Sequence, residues 1–314
     1  MELGGATMLQ TLAEVLVANS FSLALSPGFF QFYAEMGFLH ALEERHRGGS
    51  ILRKVAQVSG ASAGALVGGF FAAGMKPSEM LEPVFSIRRE DIWDVSVGLG
   101  LLEGQLFQRI LQRFLPVQDF KDCRIPLAVT AYDVLGFKTT ILREGEVATA
   151  IRASCCFPVL FQPVTVLGSP HIDGGVFDTV GLMGLDPEIT SRCTVIVNLV
   201  CGRSRLGSSL RPQGCPDSTM LISIVIDDSI PRVSPFNMET GGPAAYLAAM
   251  RATKSILDSP GQQIARNHFV YYLVGQQQLS GTLAAVEAAP AKRSSKKRGG
   301  GAKVARAART RRKR

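Results

Sequence analysis

Ser62 lies in Gly60-Ala-Ser-Ala-Gly64, and Asp173 opens Asp173-Gly174-Gly175 far along the chain. A hydroxyl and a carboxylate suffice for acyl transfer if the carboxylate takes the serine proton directly, because the base within hydrogen-bond reach need not be histidine. Glycines at 60 and 64 allow a strand to turn sharply into a helix with the serine exposed at the turn, which is how a nucleophile elbow reads. The helix after it aims its free N–H groups and positive dipole end at the serine, and the Ala63 amide is placed to stabilise an oxyanion there. Each motif alone is weak: Gly-x-Ser-x-Gly arises by chance in long chains, and Asp-Gly-Gly is more often a plain turn. Their chemistry depends on elements that bring them together.

The spacing predicts those elements. Phe21 to Ser26 reads as a buried strand, broken by Pro27-Gly28 before a helix over Phe29 to Glu44. Val55 to Ser59 is a second strand and Ala63 to Gly74 its helix, and Ser78 is offered as cap for a helix starting near Glu79. Leu106 to Leu115 has helical spacing, and Ile125 to Tyr132 with Lys138 to Leu142 read as neighbouring strands around a turn at Gly136. A strand over Pro163 to Leu167 precedes Asp173, which is expected in a tight loop, with His171 on the surface. Thr194 to Val200 and Leu221 to Ile226 are core strands, Cys201 to Pro216 a surface loop whose bases are solvated, Tyr246 to Leu257 a helix, and His268 to Val274 a late edge strand. This alternation favours a largely parallel sheet covered by helices on both faces.

Four blocks make the chain resemble the patatin-like phospholipases, a family that uses a Ser-Asp dyad. They are Phe21-Ser-Leu-Ala-Leu-Ser26 with Gly37-Phe-Leu-His-Ala-Leu-Glu-Glu44, then Gly60 to Gly64, then Ala150 to Pro163 with Ser154, Pro158 and Pro163 in place, and finally Asp173 to Gly175. The resemblance runs from about Phe21 to Val200. It implies a three-layer α/β/α sandwich with a mostly parallel central sheet, Ser62 as nucleophile, Asp173 as its partner, a lipid substrate, and neither cofactor nor metal. The family's oxyanion loop, Gly-Gly-Gly-x-Arg-Gly, corresponds here to Pro27-Gly-Phe-Phe-Gln-Phe32. Only Gly28 survives, so the oxyanion donors are expected from the amides of Gly28, Phe29 and Ala63, in a loop that tolerates side chains.

Three readings follow. The first is a lipid acyl hydrolase working through Ser62, Asp173 and an acyl-enzyme, with the aromatic run Phe29, Phe30, Phe32 and Tyr33 either lining an acyl-chain site or packing under the first helix. The second is a pseudoenzyme that keeps the fold as a lipid-binding or interaction protein after losing its oxyanion loop. The third, a Ser-His-Asp hydrolase, needs a histidine near Ser62 such as His268, or the nearer His171 beside Asp173, which is expected to be a surface loop residue.

Twelve of the 34 lysines and arginines fall between Lys292 and Arg314, a stretch with no acid, although the whole chain carries a net charge of +8. The remainder is mildly acidic, so nucleic-acid binding cannot be argued for the folded body. We therefore read residues 1–289 as one patatin-like α/β domain and 290–314 as a disordered basic tail, since the tail has almost no large apolar residue to offset its ordering entropy. The tail is either a solvated charge run, a contact for anionic lipid headgroups, or a nuclear-localisation or RNA-contacting patch. The six cysteines show no paired spacing and read as reduced, structural thiols. No signal peptide or membrane-spanning helix is read, which gives a cytoplasmic expectation, with membrane-peripheral or nuclear location as the alternatives the tail allows.

Overall fold

A computed structural model describes residues 10–45, 51–208, 211–212 and 215–275. The expected basic tail, and residues 276–289 before it, lie outside the described residues. The strands are β1 (Phe21–Leu25), β2 (Val55–Ala61), β3 (Leu127–Asp133), β4 (Lys138–Leu142), β5 (Val164–Val166), β6 (Ser169–Asp173), β7 (Val195–Cys201), β8 (Met220–Ile226), β9 (Gln262–Ala265) and β10 (His268–Leu273). They form one sheet in the order β5-β6-β3-β2-β1-β7-β8-β10-β9, with β4 paired to β3. The pairs from β3 through β10 along this order are parallel, and the pairs at both margins are antiparallel. β1 and β7 are buried along their whole length, as strands in the middle of a parallel sheet covered on both faces must be.

The helices are α1 (Leu12–Ala18), α2 (Phe32–Arg45), α3 (Ala63–Ala72), α4 (Leu81–Ser86), α5 (Arg89–Ile92), α6 (Gln105–Phe114), α7 (Val147–Ser154), α8 (Pro187–Arg192) and α9 (Met238–Leu257). They cover the sheet unequally. Leu23, Leu25, Val197, Leu199, Ile222 and Ile224 join the main core with side chains of α1, α2, α3, α7 and α9. The alternate residues Ala24, Ile196, Val200, Leu221 and Val225 meet only Val180, Leu182, Leu185 and a few neighbours. That second cover is thin, the segment 178–186 followed by six-residue α8, and polar side chains hold it to the sheet. The Gln57 amide donates to Ser22 Oγ and Thr190 Oγ1, both at 2.9 Å, and accepts from the Asp186 N–H at 2.8 Å. Ser59 Oγ donates to Gly181 O at 2.6 Å, and Asn198 Nδ2 to Val180 O at 2.6 Å. Hydrogen bonds of this kind offset the cost of burying these polar groups and fix the register of the cover on the sheet.

Several boundaries differ from those read in the sequence. The first helix starts at Phe32, because Phe29 to Gln31 form the turn that follows β1. Ser78 does not cap α4; it donates to Glu43, and Met80 holds the N-cap position without a side-chain bond. α9 starts at Met238 and runs through Gly241-Gly242-Pro243. β10 is not the sheet edge, since the polar, exposed β9 pairs with it. Asp173 closes a strand: β5 and β6 form a hairpin whose two turn residues, Leu167 and Gly168, both have positive φ, as a two-residue loop between twisted strands requires. His171 on β6 is buried, with its ring nitrogens against Ser169 O and Thr140 Oγ1.

Candidate active site

β2 ends in the elbow. Ser62 is the N-cap of α3 with φ 51° and ψ −117°, a conformation that a side-chain-bearing residue adopts only when its surroundings enforce it. Close packing supplies that enforcement. A Cβ on Gly60 would stand 2.4 Å from Gly64 O, and one on Gly64 would stand 2.2 Å from Leu25 O, so the turn is as tight as its two glycines allow. The Ser62 N–H donates to Ser154 Oγ at 2.8 Å, Ser154 Oγ donates to Thr130 O at 2.7 Å, and Cys155 Sγ donates to Ser62 O at 3.2 Å. Loss of solvation pushes the Cys155 thiol pKa well up, with the nearby Asp173 charge adding to it, which keeps the thiol a donor.

Asp173 reaches the elbow from the other side of β3, paired with Ala131 in the antiparallel β3–β6 ladder. Ser62 Oγ donates to Asp173 Oδ2 at 2.7 Å, and Gly175 N donates to Oδ1 at 2.7 Å. A Cβ on Gly174 would meet Thr130 O at 2.0 Å, which explains glycine directly after the carboxylate. Burial pushes the Asp173 carboxyl up to about 6, against the lowering effects of the Ser62 and Gly175 hydrogen bonds and the Arg205 charge. A carboxylate with its pKa near neutrality, hydrogen-bonded to a hydroxyl, is matched to the work of a general base.

Ser62, Ala63 and Asp173 line one cavity of about 340 Å³ together with Pro27, Gly28 and Phe29 from the turn after β1. The sequence-predicted site residues are therefore brought together, at the carboxyl ends of the parallel strands where open α/β sheets bind ligands. The rest of the lining is mostly apolar, including Phe30, Phe32, Leu66, Trp93, Leu102 and Phe161. Phe32 thus lines the cavity, whereas Tyr33 is packed in the core. The turn after β1 accommodates side chains by placing Phe30 at φ 55° and leaving Phe29 at 53% exposure. Gly28 has no such latitude, since a Cβ there would lie 2.5 Å from Gln31 Cγ and 2.9 Å from Cys201 Sγ.

Neither histidine considered at the sequence level joins the dyad. His268 pairs with Ser223 Oγ at 2.9 Å on β10, several strands from β2, and His171 is engaged as described. The Ser-His-Asp reading is thereby removed. Arg205 is the reverse case. Read as a solvated loop base, it lines the cavity, donates to the carbonyl of Pro27, and lowers the Asp173 pKa. The only signal for it in sequence is its position just past the carboxyl end of core strand β7, where loops contribute to sites. Behind the loop, Glu35 is fully buried; burial pushes its carboxyl up to about 8, and Cys201 Sγ contacts its Oε1.

The sequence model described as Patatin-like phospholipase matches residues 23–186. The chain belongs to the patatin-like phospholipase family, and membership supports lipid hydrolase function in general. Over 176 residues it is 28% identical to uncharacterized NTE family proteins of Mycobacterium bovis and Mycobacterium tuberculosis, covering 54% of this chain and 47% of each relative. The chain thus spans about half the length of the curated relatives it matches. Among solved structures, VipD from Legionella pneumophila aligns with a TM-score of 0.48 and 16% identity over 85% of this chain and 74% of that one. ExoU in its complex with SpcU from Pseudomonas aeruginosa aligns with a TM-score of 0.41 and 14% identity over 76% and 51%.

Proposed function

We propose that this protein hydrolyses carboxylic esters of lipids through a Ser62–Asp173 dyad. The observation that carries the reading is the 2.7 Å hydrogen bond from Ser62 Oγ to Asp173 Oδ2, both of which line a mostly apolar cavity. Asp173 takes the hydroxyl proton as Oγ attacks the ester carbonyl carbon. The carbonyl oxygen becomes an oxyanion facing the amides of Gly28, Phe29 and Ala63. The tetrahedral species collapses, the alcohol leaves with the proton from Asp173, and the acyl group stays on Ser62. Water then attacks the acyl-enzyme while Asp173 takes its proton; the fatty acid departs and Ser62 Oγ is reprotonated. The apolar walls suit an acyl chain, which gains about 0.8 kcal/mol for each buried CH₂. Arg205 holds the turn after β1 through the Pro27 carbonyl, and so keeps the Gly28 and Phe29 amides in place.

The pseudoenzyme reading has one observation in its favour, the departure of that turn from the family pattern: Pro27 has no N–H to donate, and Phe30 occupies a left-handed position. Removing one oxyanion donor costs about 3 kcal/mol of transition-state stabilisation, so a poor hole would leave a feeble enzyme. Hydrolysis of short-chain esters and phospholipid micelles by the wild type, abolished in Ser62→Ala, is the expected result. Equal turnover by both proteins would end the dyad reading, and no turnover by either would favour the pseudoenzyme.

A further inference from the structure

Beside the cavity mouth, residues 94–103 form a hairpin whose side chains are distributed inside out. Val95, Val97, Leu99 and Leu101 are exposed by 71%, 103%, 86% and 58%. Between them, Gly98 and Gly100 face the body: a Cβ on Gly98 would sit 2.5 Å from the Gln162 side chain, and one on Gly100 would sit 2.4 Å from the Phe161 carbonyl carbon. A water-facing hairpin puts its large apolar residues inward and its small or polar ones outward. From Val95 to Leu101 this one does the opposite, while Leu102 at its end is buried.

The exposure is built into the fold. The Ser96 N–H donates to Leu101 O, the Leu101 N–H to Val159 O and the Leu102 N–H to Leu160 O, at 3.1, 3.1 and 2.8 Å. Asp94, at the base, is spent on the first turn of α6 through the Gly104 and Leu106 N–H groups. Residues 95–102 carry no charge. Val159, which holds this hairpin, is itself a β-branched residue at φ 72° and 76% exposed. Just before the hairpin, the Arg89 guanidinium lies 5.6 Å from the ring of Trp93 and 5.8 Å from that of Phe236, which is 78% exposed. Tryptophan and arginine at the margin of an apolar patch match the chemistry of a lipid–water boundary.

We propose that this collar inserts into the surface of a lipid bilayer and seats the cavity mouth on it. The argument for a bilayer, and not another protein, is continuity: Leu102 at the end of the hairpin, Phe161 against which Gly100 packs, and Trp93 just before the hairpin also line the cavity that the proposed hydrolase offers to an acyl chain. The inference therefore rests on that reading for its occupant. The docking itself is tested without catalysis.

Co-sedimentation of the full chain with phosphatidylcholine vesicles at high salt screens out attraction through the basic residues beyond 291. In a Ser62→Ala background, Val97→Ser with Leu99→Ser should weaken partitioning by about tenfold or more. In the Ser62 protein the same pair should leave turnover of a water-soluble short-chain ester unchanged, which also shows that the fold is intact. Wild-type partitioning that the substitutions do not alter, or no partitioning at all, overturns the proposal. So does light scattering that shows a dimer dissociated by the substitutions while vesicle binding persists. Collar-dependent vesicle binding in a protein that turns over no ester would uphold the collar and refute the hydrolase.

Discussion

Ser62 and Asp173 depend on atoms that touch no substrate. Ser154 spans the Ser62 N–H and the Thr130 carbonyl, and so ties the elbow to β3, the strand that also carries β6 and Asp173. Ser154→Ala leaves a backbone donor and an acceptor without that partner, for an expected loss of about 1–3 kcal/mol in denaturant unfolding. The same change should lower kcat/KM on the order of 10-fold to 100-fold, because the hydroxyl and its base lose their mutual placement. The Asp173 carboxyl, raised to about 6 by burial, must be ionised to accept a proton. Hence kcat/KM for a soluble ester should rise about tenfold per unit below pH 6 and level off above it. The linked effect on stability has the opposite sense. The folded pKa lies above the ordinary value of 3.8, so this group favours the folded state below that value and loses the contribution as pH rises toward 6.

At the scale of elements, the β2–α3 elbow was readable because close packing leaves its chemistry no choice of residue. Gly64→Ala puts a Cβ within 2.2 Å of Leu25 O, and an overpacked elbow should lose about 3 kcal/mol, read as a lowered Tm. Gly207→Ala, where the added Cβ meets nothing within 4 Å, should change stability by less than about 0.5 kcal/mol. The apolar strands β1, β2, β3, β7 and β8 and the helices α2, α3 and α6 were equally legible, whereas α1, α7 and α8 were not read from the sequence. What the sequence hid was local preference overruled by tertiary packing. β6, Ser-Pro-His-Ile-Asp, contains a proline and reads as a loop, yet it pairs with β3 and β5. The start of α9 carries Gly-Gly-Pro and reads as a break, but Gly242 packs beneath the Tyr33 ring, where a Cβ would approach it to 2.7 Å. Arg205 was hidden for a different reason: no spacing rule links a loop after β7 to the carbonyl of Pro27 after β1.

For the whole molecule, a sheet with one deep apolar cover and one thin polar cover explains why so many of its buried side chains are Ser, Gln, Asn and Thr. Gln57 alone joins Ser22 on β1 to Thr190 on α8 and to Asp186 before it. Gln57→Ala should therefore cost at least about 2 kcal/mol and raise amide hydrogen exchange first across residues 178–192, the segment it holds down. All of this geometry serves one claim, that Ser62 is an activated nucleophile. The most direct measurement is covalent modification of the folded protein by a fluorophosphonate, followed by mass spectrometry of the intact chain and its peptides. The account predicts one adduct, on Ser62, strongly reduced in Asp173→Asn and absent in Ser62→Ala. Folded wild-type protein that takes up no adduct, or carries it on another residue, would contradict it.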